Sequence, residues 1–234
     1  TAEINAYKQV AGEAIFEIGR RLKHVKENDL THGQFGKWLE SVGIDRTFAT
    51  RLMKIADELC EGKYATWHNL GYRALYEIAT LPPDERKNKT YGGEIVMELA
   101  KSHTELSNDI NVITAEINAY KQVAGEAIFE IGRRLKHVKE NDLVHGQFGK
   151  WLESVGMNHR VANQMMKVAA ELDDEKWRTS SNLGMEALYQ IATMPEEQRY
   201  RPHTIPSTGE VKTVDEMTVR ELREVKRALK EAQQ

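Results

Sequence analysis

The chain has 234 residues, 29% charged and 40% hydrophobic, with 16 glycines and 5 prolines, the make-up of a soluble globular protein rich in helix formers. A net charge of −3 excludes a globally basic protein, so any anion-binding surface has to come from local clustering. No apolar run approaches the roughly 18 residues of a membrane span, Thr1 does not open a signal peptide, and the single cysteine, Cys60, fits a reducing, cytoplasmic setting.

An internal repeat dominates the chain. Residues 1–43 and 114–156 differ at one position, Thr31 against Val144, and the copies stay in register at an offset of 113 as far as Pro195. A period this long means duplicated domains rather than a solenoid. The expected organisation is a first copy over 1–88, a linker over 89–113, a second copy over 114–201, and a hairpin with a terminal helix over 202–234.

Each copy opens with a long amphipathic helix, its stripe formed by Ile4, Ala11, Ile15, Ile18, Leu22 and Val25. Gly12 and Gly19 lie near that face, and close helix packing is expected to offset their cost of about 0.5–1 kcal/mol each. The helix should fail near Asn28-Asp29. Arg20, Arg21, Lys23 and Lys26 read as a solvated face. A short helix is expected from about Gln34 to Val42, a third from about Asp45 to Glu58, then the irregular "CEGKYATWHN". Another helix follows over "LGYRALYEIAT", stopped by Pro82-Pro83, and its counterpart runs from Leu183 to Thr193. The stretch between the copies turns at Gly92-Gly93 and has room for a short hairpin and part of a helix. In the tail, "TIPSTGEVKTV" reads as a β-hairpin around Thr208-Gly209. Thr218 and Glu221 then form a capping box for a helix whose stripe is Leu222, Val225 and Leu229.

The second and third helices carry the pattern of a helix-turn-helix. Counting from Phe35, apolar residues fall at positions four (Trp38), eight (Val42), ten (Ile44), fifteen (Ala49) and eighteen (Leu52), with Gly43 in the turn at nine. The second copy supplies Trp151, Val155, Gly156, Met157, Ala162 and Met165, so Trp38 and Trp151 are expected in the core. Position five, where a small residue is usual, holds Leu39 or Leu152. This frame points Arg46, Thr47, Thr50 and Arg51 outward in the first copy, and His159, Arg160, Asn163 and Gln164 in the second. These residue types suit base edges, arginine with guanine and asparagine or glutamine with adenine. Lys54 and Lys167 suit sequence-independent phosphate contacts. The scaffold is retained while the outward surface differs.

"IFEIGRRLKHVKE", "HGQFGKWLESVG" and "RVANQMMKVA", together with the tail "TGEVKTVDEMTVRELREVKRALK", resemble an uncharacterised family of helix-turn-helix proteins from phages and mobile elements. The third helix with "NLGYRALYEIATLPPDER" is also similar to the DNA-binding region of ParB-type partition proteins, although no ParB-type nucleotide-binding motif is present. The resemblance implies an all-α fold of two tandem helix-turn-helix domains with a small β-hairpin and a C-terminal helix. The differing outward residues of the two third helices lead to the expectation of a sequence-specific transcription regulator, of phage or mobile-element type, bound to double-stranded DNA through two unlike half-sites.

The alternative use of the same surface is a protein-binding adaptor or antirepressor, and the C-terminal helix is a further place for self-association or a protein partner. The eight histidines lack metal-ligand spacing, GxxxxGK[ST] is absent, and no nucleophile–base pair stands out. The expectation is therefore neither an enzyme nor a cofactor or metal protein.

Overall fold

The computed structural model describes residues 1–59, 72–82, 85, 106–172, 177 and 184–232. Helix α1 spans Ala2–Glu27, α2 Phe35–Ser41, α3 Arg46–Leu59 and α4 Tyr72–Ala79. The second copy repeats them as α5 (Ile110–Glu140), α6 (Phe148–Ser154), α7 (His159–Glu171) and α8 (Met185–Ala192). A two-stranded antiparallel ribbon follows, β1 (His203–Thr204) paired with β2 (Val211–Lys212), then α9 (Val219–Ala232). The fold is all-α with a small hairpin and a C-terminal helix. Residues 60–69 and most of the stretch between the copies lie outside the described residues.

Local signals in the sequence account for most boundaries. α1 and α5 end at Asn28 and Asn141, where the expected break falls. Gly43 and Gly156 adopt φ of +64° and +61° in the turns before α3 and α7, which a residue with a Cβ tolerates poorly. α9 opens on its capping box: the Glu221 carboxylate accepts from the Thr218 amide at 2.6 Å, and the Thr218 hydroxyl accepts from the Glu221 amide at 3.3 Å. The lone difference between the opening segments also has a physical account. The Thr31 hydroxyl is buried with no hydrogen-bond partner, and Val144 is its near-isostere without that group.

Two departures from expectation concern packing. Leu39 and Leu152, both 1% exposed, fill the space where a small residue usually sits. A close backbone approach lies instead between α1 and α3. A Cβ on Gly19 would lie 2.8 Å from the Ala56 Cβ and nearer still to the Leu52 carbonyl oxygen; Gly132 meets Ala169 and Met165 in the same way.

The second departure is larger, because each copy supplies part of the other's core. Ile113 and Ile117, near the start of α5, are fully buried against Ile18, Leu22, Leu39, Val42 and Leu52 of the first copy. Ile4 of α1 is buried in the second copy, among Ile131, Leu135, Leu152 and Met166. Helix α5 begins at Ile110, capped by Asp109, so the last residues of the expected linker are helix and core. A fragment ending at residue 88 would lack part of its own core.

Polar ties repeat the exchange. The Lys8 amine donates to the Val155 carbonyl at 2.8 Å and the Lys121 amine to the Val42 carbonyl at 2.6 Å. Arg21 pairs with Glu116 and Arg134 with Glu3, each at 2.8 Å. The same guanidiniums lie 4.6 Å and 4.5 Å from the ring centroids of Tyr120 and Tyr7. Arg21 is therefore a buried residue of the inter-copy seam and not part of a solvated face. Trp38 and Trp151 are likewise half-buried seam residues rather than enclosed core, their indole N–H groups donating to Thr114 and Thr1 of the opposite copies.

Burial pushes the Lys121 amine down to about 8, and Lys8 is shifted the same way by the same cause. Between about pH 8 and the ordinary lysine value of 10.5, the unfolded chain holds a proton that the folded chain has shed. Stability from this group therefore rises with pH across that window. Denaturant midpoints for the wild type and Lys121→Met, measured from pH 7 to 10.5, should show the wild type gaining relative to the variant above pH 8. Parallel curves would mean that the amine stays solvated.

The tail completes the second copy. Leu222 and Val225 of α9 are buried with Val214 and Met217 against Leu188 and Ile191 of α8, and Leu229 packs beside them. Arg199, buried, donates to the carbonyls of Glu171, Ala192 and Met194 and to the Glu171 carboxylate at 2.7 Å, tying the C-terminal ends of α7 and α8 together.

Candidate nucleic-acid interface

α3 and α7 start where a side chain caps them. The Asp45 carboxylate accepts from the amides of Thr47 and Phe48 at 2.9 and 3.1 Å. The Asn158 amide oxygen accepts from those of Arg160 and Val161 at 2.8 and 3.4 Å. A carboxylate thus stands at one helix start and a neutral amide at the other, so the second is the less repulsive to a phosphate.

The buried stripe of α3 is Ala49, Leu52, Met53, Ile55, Ala56 and Leu59. Its seating leaves Arg46, Thr47, Thr50 and Arg51 exposed on the far side, as the motif frame expects. In α7, His159 and Arg160 are exposed, and Asn163 and Gln164 are half-buried. In the buried stripe of α7, Met166 is more enclosed than Met165.

These side chains have internal contacts. The Thr50 hydroxyl donates to the Arg46 carbonyl at 2.9 Å, and the Arg51 guanidinium lies 5.3 Å from the Tyr76 ring centroid. In the second copy the Asn163 amide nitrogen is 2.9 Å from the His159 ring nitrogen, and that ring meets Phe148 edge-on at 6.5 Å. Lys54 and Lys167 lie in mid-helix, paired with Glu58 and Glu171 one turn on at 3.2 and 2.9 Å. Arg199 and Lys167 together hold the Glu171 carboxyl below the usual carboxylate range. Lys54 also lines an open groove of about 450 Å³ between α1 and α3, with Lys23, Lys26 and Thr50 beside Glu27 and Asp57. Lys23 is ion-paired to Asp57 across it.

Two features escaped the sequence reading. Phe48 and Val161 occupy equivalent places on α3 and α7 and are each 38% exposed. The helical stripe marks them as non-core, but only the structure puts an apolar spot on the outward face. The other feature is Arg223 of α9, which donates to Glu186 at 2.7 Å. Burial raises the Glu186 pKa, but Arg223, Gln190 and the nearby Arg160 outweigh it and leave the carboxyl low. The C-terminal helix thereby brings a second guanidinium to the edge of α7.

A family profile described as a protein of unknown function (DUF3102) matches residues 1–97 and, separately, residues 104–232. The chain belongs to this family. The first match spans the first copy, and the second spans the second copy together with the hairpin and α9. No curated protein and no solved structure matches the chain. Among the described residues, no group of three or more His, Cys, Asp or Glu could hold a metal, and no helix is long and apolar enough to cross a membrane.

Proposed function

We propose that this chain is a sequence-specific duplex-DNA-binding protein, a regulator of phage or mobile-element type, with two helix-turn-helix modules that read unlike half-sites. One observation carries the reading. At equivalent places on a nearly identical scaffold, α3 carries Arg46, Thr47, Thr50 and Arg51, all exposed, and α7 carries His159 and Arg160, exposed, with Asn163 and Gln164 half-buried; these are unlike sets of residue types that suit base edges. In mechanism, the first turns of each helix enter the major groove and these side chains meet base edges. Phe48 and Val161 supply apolar contacts of the kind that suit a thymine methyl. Lys54 and Lys167 exchange their glutamate partners for phosphates. The loose similarity to the ParB-type DNA-binding region points the same way.

Selection of bound sequences from a random duplex pool tests the reading directly. Arg51→Ala should relax preference in one half-site and Gln164→Ala in the other, each costing about 1–3 kcal/mol. Lys54→Ala should weaken all sequences about equally. A pool that yields no enriched sequence would overturn the proposal. The apolar spot at Phe48 and Val161, on a chain of net charge −3, also favours a second reading, an adaptor or antirepressor that binds another protein. Affinity for duplex DNA that falls steeply with added salt supports the DNA reading, and no measurable affinity for duplex DNA at low salt favours the adaptor.

A further inference from the structure

The inter-copy contacts run both ways. Lys8 reaches Val155 as Lys121 reaches Val42. Arg21 takes Glu116 as Arg134 takes Glu3, and Trp38 takes Thr114 as Trp151 takes Thr1. Ile117 enters the first copy's core as Ile4 enters the second's. Each contact becomes its partner when 113 is added to one residue and subtracted from the other. An operation that maps the first copy onto the second therefore also maps the second onto the first, and the rotation that does so is a twofold. A head-to-tail arrangement would join two different surfaces and leave one of each unused.

The contacts also lie against the parts of each module that hold its third helix. Val42 immediately precedes the Gly43 turn, and Trp38 belongs to α2. Ile113 and Ile117 pack on Leu39, Val42 and Leu52. The position of α3 relative to α7 is thus set by crossed helices and shared core, not by the length of chain between the copies.

From this symmetry we infer that the DNA site is an inverted repeat of two unlike half-sites held at one spacing. The inference rests on the DNA-binding reading above. A twofold pair of modules meets two half-sites related by the duplex's own dyad, whereas a direct repeat needs modules related by a translation. The site is therefore palindromic in frame but not in letters, because the frame comes from the matched scaffolds and the letters from the unmatched faces.

The test uses the full chain. Half-sites recovered from a random duplex pool are placed on synthetic duplexes as inverted or direct repeats, at the selected spacing and with about 5 added base pairs, half a helical turn. The inverted repeat at the selected spacing should bind about a hundredfold more tightly than either the direct repeat or the lengthened inverted one. A chain with six extra residues between Gly92 and Gly93 should select the same spacing as the parent. Equal affinity for the two orientations would overturn the inference, as would a spacing that broadens with the insertion, and both would leave DNA binding intact. Failure to enrich any sequence would instead remove the DNA-binding reading, and this inference with it.

Discussion

Truncation of Ile117 to alanine is expected to loosen the first copy, although the residue belongs to the second. Its side chain is fully buried among Ile18, Leu22, Val25, Leu39 and Leu52, and the contacts it would lose are theirs. A buried isoleucine-to-alanine change costs about 2–5 kcal/mol, from lost transfer energy and from the cavity left behind. Ile4→Ala is the mirror experiment, with Leu135, Leu152 and Met166 as the losers. Urea denaturation should give one transition in each variant, its midpoint lowered and its slope kept. Amide exchange should locate the weakened protection of Ile117→Ala in α2 and α3. Two separable transitions, or protection lost only within residues 114–232, would refute a shared core.

Gly19→Ala makes a sharper contrast, because two effects predict opposite signs. Helix propensity alone favours alanine by about 0.5–1 kcal/mol. The added Cβ, however, lies 2.8 Å from the Ala56 Cβ and closer to the Leu52 carbonyl oxygen, and a backbone carbonyl in a helix has little room to move. Overpacking of this kind costs about 1–3 kcal/mol, so the net result is destabilisation and a melting temperature lower by several degrees. Gly132→Ala should behave alike, and the double variant should be roughly additive if the two crossings are independent. A raised melting temperature would show that the helices concerned, α1 and α3 for Gly19→Ala or α5 and α7 for Gly132→Ala, are not in backbone contact.

What the sequence disclosed was whatever its local chemistry encodes. The asparagines that end the long helices, the turn glycines at positive φ and the Thr218–Glu221 box are signals confined to a few residues, and each element lies where those signals put it. The stripe of α1 was equally legible as a stripe. Periodicity tells which face of a helix is apolar, however, and not which body covers it. The pattern places Ile4 in the stripe of its own copy, whereas Ile4 and its counterpart Ile117 each serve the other copy. Arg21 and Trp38 were misjudged for the same reason. Arginine on a helix surface and tryptophan in an apolar pattern have ordinary single-copy explanations, and only the approach of Glu116, Tyr120 and Thr114 changes them. For the candidate interface, the register of the motif gave the exposed positions of α3 and, in α7, those of His159 and Arg160, whereas Asn163 and Gln164, expected outward, are half-buried. The glutamates that hold Lys54 and Lys167 stand one helical turn on in both copies and are legible from that spacing; the apolar spot at Phe48 and Val161 depended on neighbours that a repeat pattern does not contain.

The shared core has a consequence for how the molecule is made. A ribosome releases α1, α2 and α3 well before α5 exists, and until residues 110–121 emerge the first copy lacks Ile113, Ile117 and the Lys121 tie to its turn. Because the opening segments are nearly identical, that vacancy fits the first helix of a neighbouring nascent chain almost as well as the chain's own second copy. Dense translation on one message would therefore favour exchange between molecules, the characteristic misassembly of repeated domains. Slow delivery of a single chain lets residues 114–156 arrive at a high local concentration and claim the vacancy first.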